Sequence, residues 1–189
     1  MEESLKLLNS VNGQFKERNF AIITLFLNCG LRLSELCAIN INDLNFDEHL
    51  FKVRGKGNKE RIVYLNDACI NAVNDYMKVR LNGASKEKQA LFISRNDKRI
   101  SPRSVELMVE NTLKVAGLSG QGYTVHKLRH TAATLMYQHG NVDIRVLQQV
   151  LGHENLGTTE IYTHLSNAQL KKASEANPLA KMKAKPYQE

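Results

Sequence analysis

The densest polar cluster in the chain is His126-Lys127-Leu128-Arg129-His130, at the head of an amphipathic stretch. His126 and Arg129 stand three residues apart, so on a helix both reach one ligand from the same side. A phosphate suits this pair. Arginine donates through a planar fork, histidine moves a proton, and a helix N-terminus adds unpaired N–H groups. The competing reading is a solvated basic face. A metal fits less well, although His126 and His130 are four apart and His153 follows. A zinc-protease pattern needs a carboxylate between its histidines. This segment carries Lys127 and Arg129 there, and two cations repel a divalent ion, so no metal is expected.

Three further spots bear reactive types. Gly30-Leu31-Arg32-Leu33-Ser34-Glu35-Leu36 sets an arginine amid apolar sequence, where it needs a partner, and Glu35 is near enough to orient it. Gly55-Lys56-Gly57 exposes a lysine at what reads as a turn, and no Lys-Ser/Thr pair opens a helix there, which excludes a Walker A loop. Leu151-Gly152-His153 ends a periodic stretch, and Tyr162 follows in Ile161-Tyr162-Thr163-His164-Leu165. A histidine after such a glycine is ordinarily a surface or capping residue, and a tyrosine is ordinarily packing.

These residues need a scaffold, and the apolar spacing supplies one. Phe20 to Leu27 is apolar nearly all round, as in a helix buried on every side, and Cys29-Gly30 ends it. Ser34 can cap a short helix from Glu35 to about Ile39. Leu50–Arg54 and Arg61–Leu65 alternate around a glycine-bearing loop, which reads as a hairpin, and Ala90–Ser94 can add a third strand. Asn66 or Asp67 can open a helix running to about Arg80. Ser101-Pro102 starts another that Gly117 stops, Leu128 to Met136 marks a third closed by Gly140, and Ile144 to Leu151 marks a fourth closed by Gly152. A short helix is expected from about Thr158 to Leu165, and a Lys- and Ala-rich tail, interrupted by Pro178, follows from Ser166. Residues 1–18 read as a linker or the remnant of an N-terminal arm. The expected architecture is mainly α with a small antiparallel sheet (α+β).

Composition narrows the class. With 26 Lys+Arg against 19 Asp+Glu, the net charge of +7 favours a polyanionic partner, nucleic acid before an anionic membrane. The apolar run Phe20–Ile23 is far too short to span a bilayer. Glu2 and Glu3 stand where a secretory signal needs positive charge. Cys29, Cys37 and Cys69 cannot all pair and form no CxxC, which points to a reduced, cytoplasmic setting.

Taken together and in order, GLRLSEL at 30–36, VRGKGNKER at 53–61, HKLRHTAAT at 126–134 and LGHENLGTTEIYTHL at 151–165 resemble the catalytic domain of the tyrosine recombinases, or phage-type integrases. The Xer-like members are the nearest in pattern. The likeness runs from about Asn19 to Leu165, which implies a catalytic domain over 19–165 and a C-terminal tail over 166–189. In that family a tyrosine attacks the scissile DNA phosphate, leaving a 3′-phosphotyrosyl link and a free 5′-hydroxyl. The resemblance implies Tyr162 as nucleophile, with Arg32 and Arg129 as the two arginines that clamp the phosphate. It implies His126 and His153 as the accompanying histidines, and Lys56 as the acid that protonates the leaving oxygen. Glu35 matches the acidic residue supporting the first arginine. No cofactor, metal or ATP is implied.

Arg54, Lys59, Arg61 and Lys127 are expected, from charge and position, to meet the DNA backbone. The implied partners are double-stranded DNA and further copies of the chain, as a tetramer on two DNA sites. The tail is expected to pack on a neighbouring copy, and a monomer remains an option for the domain alone. The family places a helical core-binding domain before the catalytic one, and only 18 residues precede the match, so that domain is expected to be missing here. Two other readings stay open: a non-cleaving DNA-binding regulatory module on the same fold, and a type IB topoisomerase-like strand passage.

Overall fold

The computed structural model describes residues 1–54, 60–80, 87–152 and 167–184. The fold is built on α2 (Lys16–Cys29), whose residues from Phe20 to Cys29 are all buried, as their all-round apolar character requires. The helix stops at Gly30, which takes the left-handed conformation (φ 58°). A side chain there would be strained, and its Cβ would lie 2.5 Å from Leu151 Cδ2. Glycine thus lets the end of α2 touch a helix more than a hundred residues away.

The sequence reading of residues 1–18 as a linker differs from the structure. Glu2–Asn9 form α1, and Leu7 and Leu8 are 1% and 2% exposed in the core against α2. Leu7 and Leu8 bury one side of α1, and Leu5 together with Val11, just past the helix, packs partly buried against the same core. After Gly30 comes α3 (Leu33–Ala38), then a 3-10 turn at Ile41–Asp43. The expected cap at Ser34 is displaced: Arg32 holds the N-cap position, and its backbone N–H donates to Glu35 Oε2 at 2.7 Å. Ser34 lies inside the first turn.

The sheet has three antiparallel strands in the order β1 (Leu44–Asn45), β2 (Leu50–Arg54), β3 (Glu60–Tyr64). Phe51 pairs with Val63 and Val53 with Arg61, so Phe51, Val53 and Val63 face the core. The expected third strand at Ala90–Ser94 is instead an extended connection carrying two isolated bridges, Asn40 to Ala90 and Ile93 to Arg99. Ala90 to Ile93 are buried on all sides, and their backbone is paired piecemeal. Arg80 donates to the Ala90 and Leu91 carbonyls, the Leu91 N–H to Ile39, and the Ile93 N–H to the Tyr76 hydroxyl. With those groups committed, no ladder forms there.

The remaining helices match the sequence reading closely. They are α4 (Asp67–Val79) capped by Asn66, α5 (Pro102–Val115) capped by Ser101, α6 (Val125–Gly140) capped by Thr124, and α7 (Ile144–Leu151) capped by Asp143. A second apolar cluster joins Ala132 and Met136 of α6, Val146 and Leu147 of α7, and Ala173 of α8 (Asn167–Glu175). The segment holding α8 is sewn to its own chain. Asn66 donates to the Ser174 carbonyl at 3.0 Å, Asn177 to the Leu27 carbonyl at 2.9 Å, and Leu179 is buried in the main core. Among the described residues, no helix is long and apolar enough to cross a membrane. The hairpin tip with Lys56 and Lys59, and the stretch with His153, Tyr162 and the helix expected from Thr158, lie outside the described residues.

Candidate active site

The site is organised around one buried carboxylate. Glu35, in the first turn of α3, has a side chain with 0% exposure. Arg32 donates to it from its backbone N–H and from Nη1, the latter at 2.9 Å. Arg61 on β3 grips it with two donors, Nη2 to Oε2 at 2.9 Å and Nε to Oε1 at 3.2 Å. Arg129 on α6 stands 3.9 Å away through Nη1. Burial pushes the Glu35 carboxyl up, but the hydrogen bonds and charge of Arg61, with the bonds from Arg32, outweigh it and hold the group below the usual carboxylate range. Three guanidiniums against one carboxylate leave the cluster positive, ready for an anion.

Backbone carbonyls fix the arginines further. Arg129 is 6% exposed and donates to the carbonyls of Gly30 and Leu151. Arg32 donates to the Gly152 carbonyl and Arg61 to that of Val150, each at 2.6 Å. The carbonyls of Val150, Leu151 and Gly152 sit at the C-terminal end of α7 and its glycine cap, where unpaired carbonyls and the helix dipole favour cations. Gly152 is left-handed (φ 65°), and a Cβ on it would lie 2.9 Å from Arg61 Cδ and 3.6 Å from Arg32 Nη1. The arginines close over it. Burial first, and the charge of Arg32 next, draw Arg129 down to about 10; Glu35 pulls the other way and Arg61 adds to the fall. Arg129 therefore stays charged at neutral pH.

An open cleft of about 790 Å³ gives access to this cluster. Arg32, His126 and Arg129 line it, with Tyr123 and Thr124 at the head of α6 and Arg103, Glu106 and Glu110 on α5. The Thr124 hydroxyl accepts from the Lys127 N–H at 3.3 Å, which starts α6 so that its first turn presents His126 to the cleft. His126 is exposed, and its Nε2 lies 2.9 Å from Nε2 of His130, one turn on.

Of the residues singled out from the sequence, Arg32, His126 and Arg129 come together at this cleft, with Glu35 buried behind the arginines. Lys56, His153 and Tyr162 lie outside the described residues, as does Lys59. Arg54 is an exposed residue at the end of β2, paired with Glu60 at 3.1 Å. Lys127 is exposed, with its ammonium folded over Gly122. Arg61 is the correction. Expected on the DNA backbone, its side chain is only 16% exposed and is committed to Glu35 and the Val150 carbonyl. The alternation that defines β3 held the signal, since Arg61 shares a strand face with buried Val63. His130 was passed over as a site residue, although its four-residue spacing from His126 puts the two rings on one helix face.

The profile of the phage integrase family matches residues 1–169, and the chain belongs to that family. Tyrosine recombinase XerC of Caldanaerobacter subterraneus subsp. tengcongensis is 58% identical over 180 residues, covering 95% of this chain and 50% of that protein. Among solved structures, XerA recombinase superposes with a TM-score of 0.73 at 33% identity, over 90% of this chain and 61% of that one. XerH site-specific recombinase bound to its difH substrate before cleavage gives 0.71 at 28% identity, over 92% and 52%. The chain thus spans about half the length of such relatives, and its mainly helical fold with one small sheet is theirs.

Proposed function

We propose that this chain is the catalytic domain of a site-specific tyrosine recombinase, which cuts and rejoins DNA through a 3′-phosphotyrosyl intermediate. The observation that carries the reading is the position of Arg32, His126 and Arg129 on one open cleft, backed by a fully buried Glu35 that leaves the group net positive. Phosphodiester cleavage needs its barrier lowered by on the order of 20 kcal/mol. Two fixed guanidiniums that meet charge growing on the non-bridging oxygens supply the largest kind of contribution available. Because Glu35, Gly30, Leu151 and Gly152 already hold them in place, they need not reorganise when that charge develops.

Tyr162 is the nucleophile in this reading. Its hydroxyl gives up its proton to solvent and the oxygen bonds to phosphorus as the bond to the 5′ oxygen breaks, while Lys56 hands a proton of its own to that departing oxygen. A 5′-hydroxyl from a second strand reverses the step, so no ATP is consumed and the cations of the protein serve where a metal would. His126 and His153 donate to the phosphate. Arg54, Lys59 and Lys127 are proposed to meet the DNA backbone. Four copies on two DNA sites, working in the cytoplasm, form the proposed assembly, and the presence of DNA in the XerH complex supports the substrate class.

The test is covalent capture. A library of nicked duplexes with randomised arms is incubated with the chain, denatured, and the protein-linked DNA is recovered. Wild type is expected to yield adducts that resist EDTA, and Tyr162→Phe none. Adducts that persist in Tyr162→Phe would overturn the assignment.

A further inference from the structure

His130 stands one helical turn after His126 on an exposed face of α6, and the two rings meet edge to face, their centroids 4.5 Å apart and their planes at 86°. Their Nε2 atoms are 2.9 Å apart, the length of a hydrogen bond. The cations between them in sequence are turned elsewhere. Arg129 is buried on the Gly30 and Leu151 carbonyls, and the Lys127 ammonium lies over Gly122. Among the described residues, neither ring has another hydrogen-bond partner. One Nε2 therefore carries the hydrogen and the other offers the lone pair. A neutral imidazole holds a single N–H, so the ring that accepts at Nε2 keeps its hydrogen on Nδ1.

We propose that His130 is a positioning residue for the phosphate cleft: its Nε2–H donates to Nε2 of His126 and holds that ring as the Nδ1–H tautomer, with the Nδ1–H as donor to a phosphate oxygen. The cleft sets the direction of the bond. Arg32 and Arg129 line it beside His126, while its two carboxylates, Glu106 and Glu110, are paired with Arg103 and Lys114. Such a wall receives an anion, and an anionic oxygen is drawn to an N–H and repelled by a lone pair. With Nε2 taken by His130, Nδ1 is the nitrogen left to His126, and it has to carry the hydrogen. The reverse bond, from His126 to His130, would leave His126 a bare lone pair to offer. His130 does not line the cleft, so its own Nδ1 lone pair is turned to solvent without cost. A free neutral histidine in water prefers its hydrogen on Nε2. His130 thus reverses the ordinary preference of its neighbour while standing off the cleft wall.

The tautomer does not depend on the recombinase reading; the effect on cleavage does. The chain is made with isotope-labelled histidine and its ring nitrogens are read by NMR in sulfate buffer at about pH 8, where ordinary imidazoles are neutral. His126→Ala assigns the signals, and His130→Ala is the test. Both positions are exposed, and circular dichroism checks the fold. His126 is expected as Nδ1–H in wild type and as Nε2–H in His130→Ala. The same His126 tautomer in both proteins would overturn the proposal. In the second arm, single-turnover adduct formation on nicked DNA is measured beside DNA affinity. His130→Ala should slow the adduct about tenfold, the worth of one hydrogen bond, with affinity unchanged. His130→Gln, whose amide N–H stands where Nε2–H stood, should recover most of the rate. In a His126→Ala background, His130→Ala should cost nothing more. An equal loss in both backgrounds would show that His130 acts on its own, and positioning would be wrong. If wild type forms no adduct, that counts against the recombinase reading and leaves the tautomer to decide the proposal.

Discussion

Replacing Glu35 by Gln tests the electrostatic frame of the cleft with little change of shape. Glutamine keeps the volume and one acceptor oxygen but removes the carboxylate charge that, among the described residues, pairs with Arg32, Arg61 and Arg129. Breaking a fully buried ion pair costs about 3–5 kcal/mol. Arg32 is partly exposed, so water relieves some of the loss, and the lower end applies, about 3 kcal/mol. For a chain of this size each kcal/mol moves Tm by roughly 2–4 °C, so Glu35→Gln should melt about 6–12 °C lower at pH 7. Thermal unfolding followed by circular dichroism reads this directly.

The pH dependence sharpens the test. Because the folded Glu35 carboxyl is held below its ordinary range, its contribution is complete above the unfolded pKa near 4.3 and is lost as pH falls through the lower folded value. The gap between wild type and Glu35→Gln should therefore be full at pH 7 and close below about pH 4. Sulfate should raise the Tm of the variant more than that of wild type, since the uncompensated guanidiniums then gain a counter-ion. A shift under about 2 °C at pH 7, or a gap that widens in acid, would refute the reasoning.

Three further outcomes are expected. Arg61→Lys loses the two-donor grip on Glu35 and should cost about 1–3 kcal/mol in urea unfolding, while slowing DNA cleavage without weakening DNA binding in a filter assay. Gly30→Ala puts a methyl group 2.5 Å from Leu151 Cδ2 and a side chain at positive φ, so it should destabilise by about 2–4 kcal/mol in the same assay. Lys56→Ala should fail to cleave an ordinary phosphodiester but recover on a substrate with a 5′-thiol leaving group, which departs without a proton; no recovery would remove Lys56 as the general acid.

Much of this site was legible before any coordinates. Arg32, Glu35, His126 and Arg129 sit in short local motifs, and helix spacing alone places Arg32 with Glu35 and His126 with Arg129. The helix starts at Asn66 and Ser101 were equally local, since both cap where the apolar periodicity begins, whereas Thr124 and Asp143, which cap α6 and α7, were not singled out. What sequence missed is what depends on distant chain. Arg61 looked like a free basic residue because Glu35 is 26 positions away in sequence. The run from Ala90 to Ile93 looked like a strand because nothing local shows that Arg80 and Tyr76 take its backbone groups. Residues 1–18 looked like a linker because three leucines are too few to establish a period, and their burial depends on α2 lying alongside.

The arginines at the end of α7 have a consequence for how mutants of this domain are interpreted. The carbonyls they hold, at Val150, Leu151 and Gly152, are the last described ones before the stretch of chain that carries Tyr162. The groups proposed to receive substrate thus also moor the chain just before the stretch that carries Tyr162, the proposed nucleophile. On that proposal, removing any one of them makes two changes together, a weaker hold on the phosphate and a slacker tether for the chain that leads to Tyr162. Activity lost in such variants should exceed what charge alone predicts, and paired substitutions at Arg32 and Arg129 should cost less than the sum of the single ones.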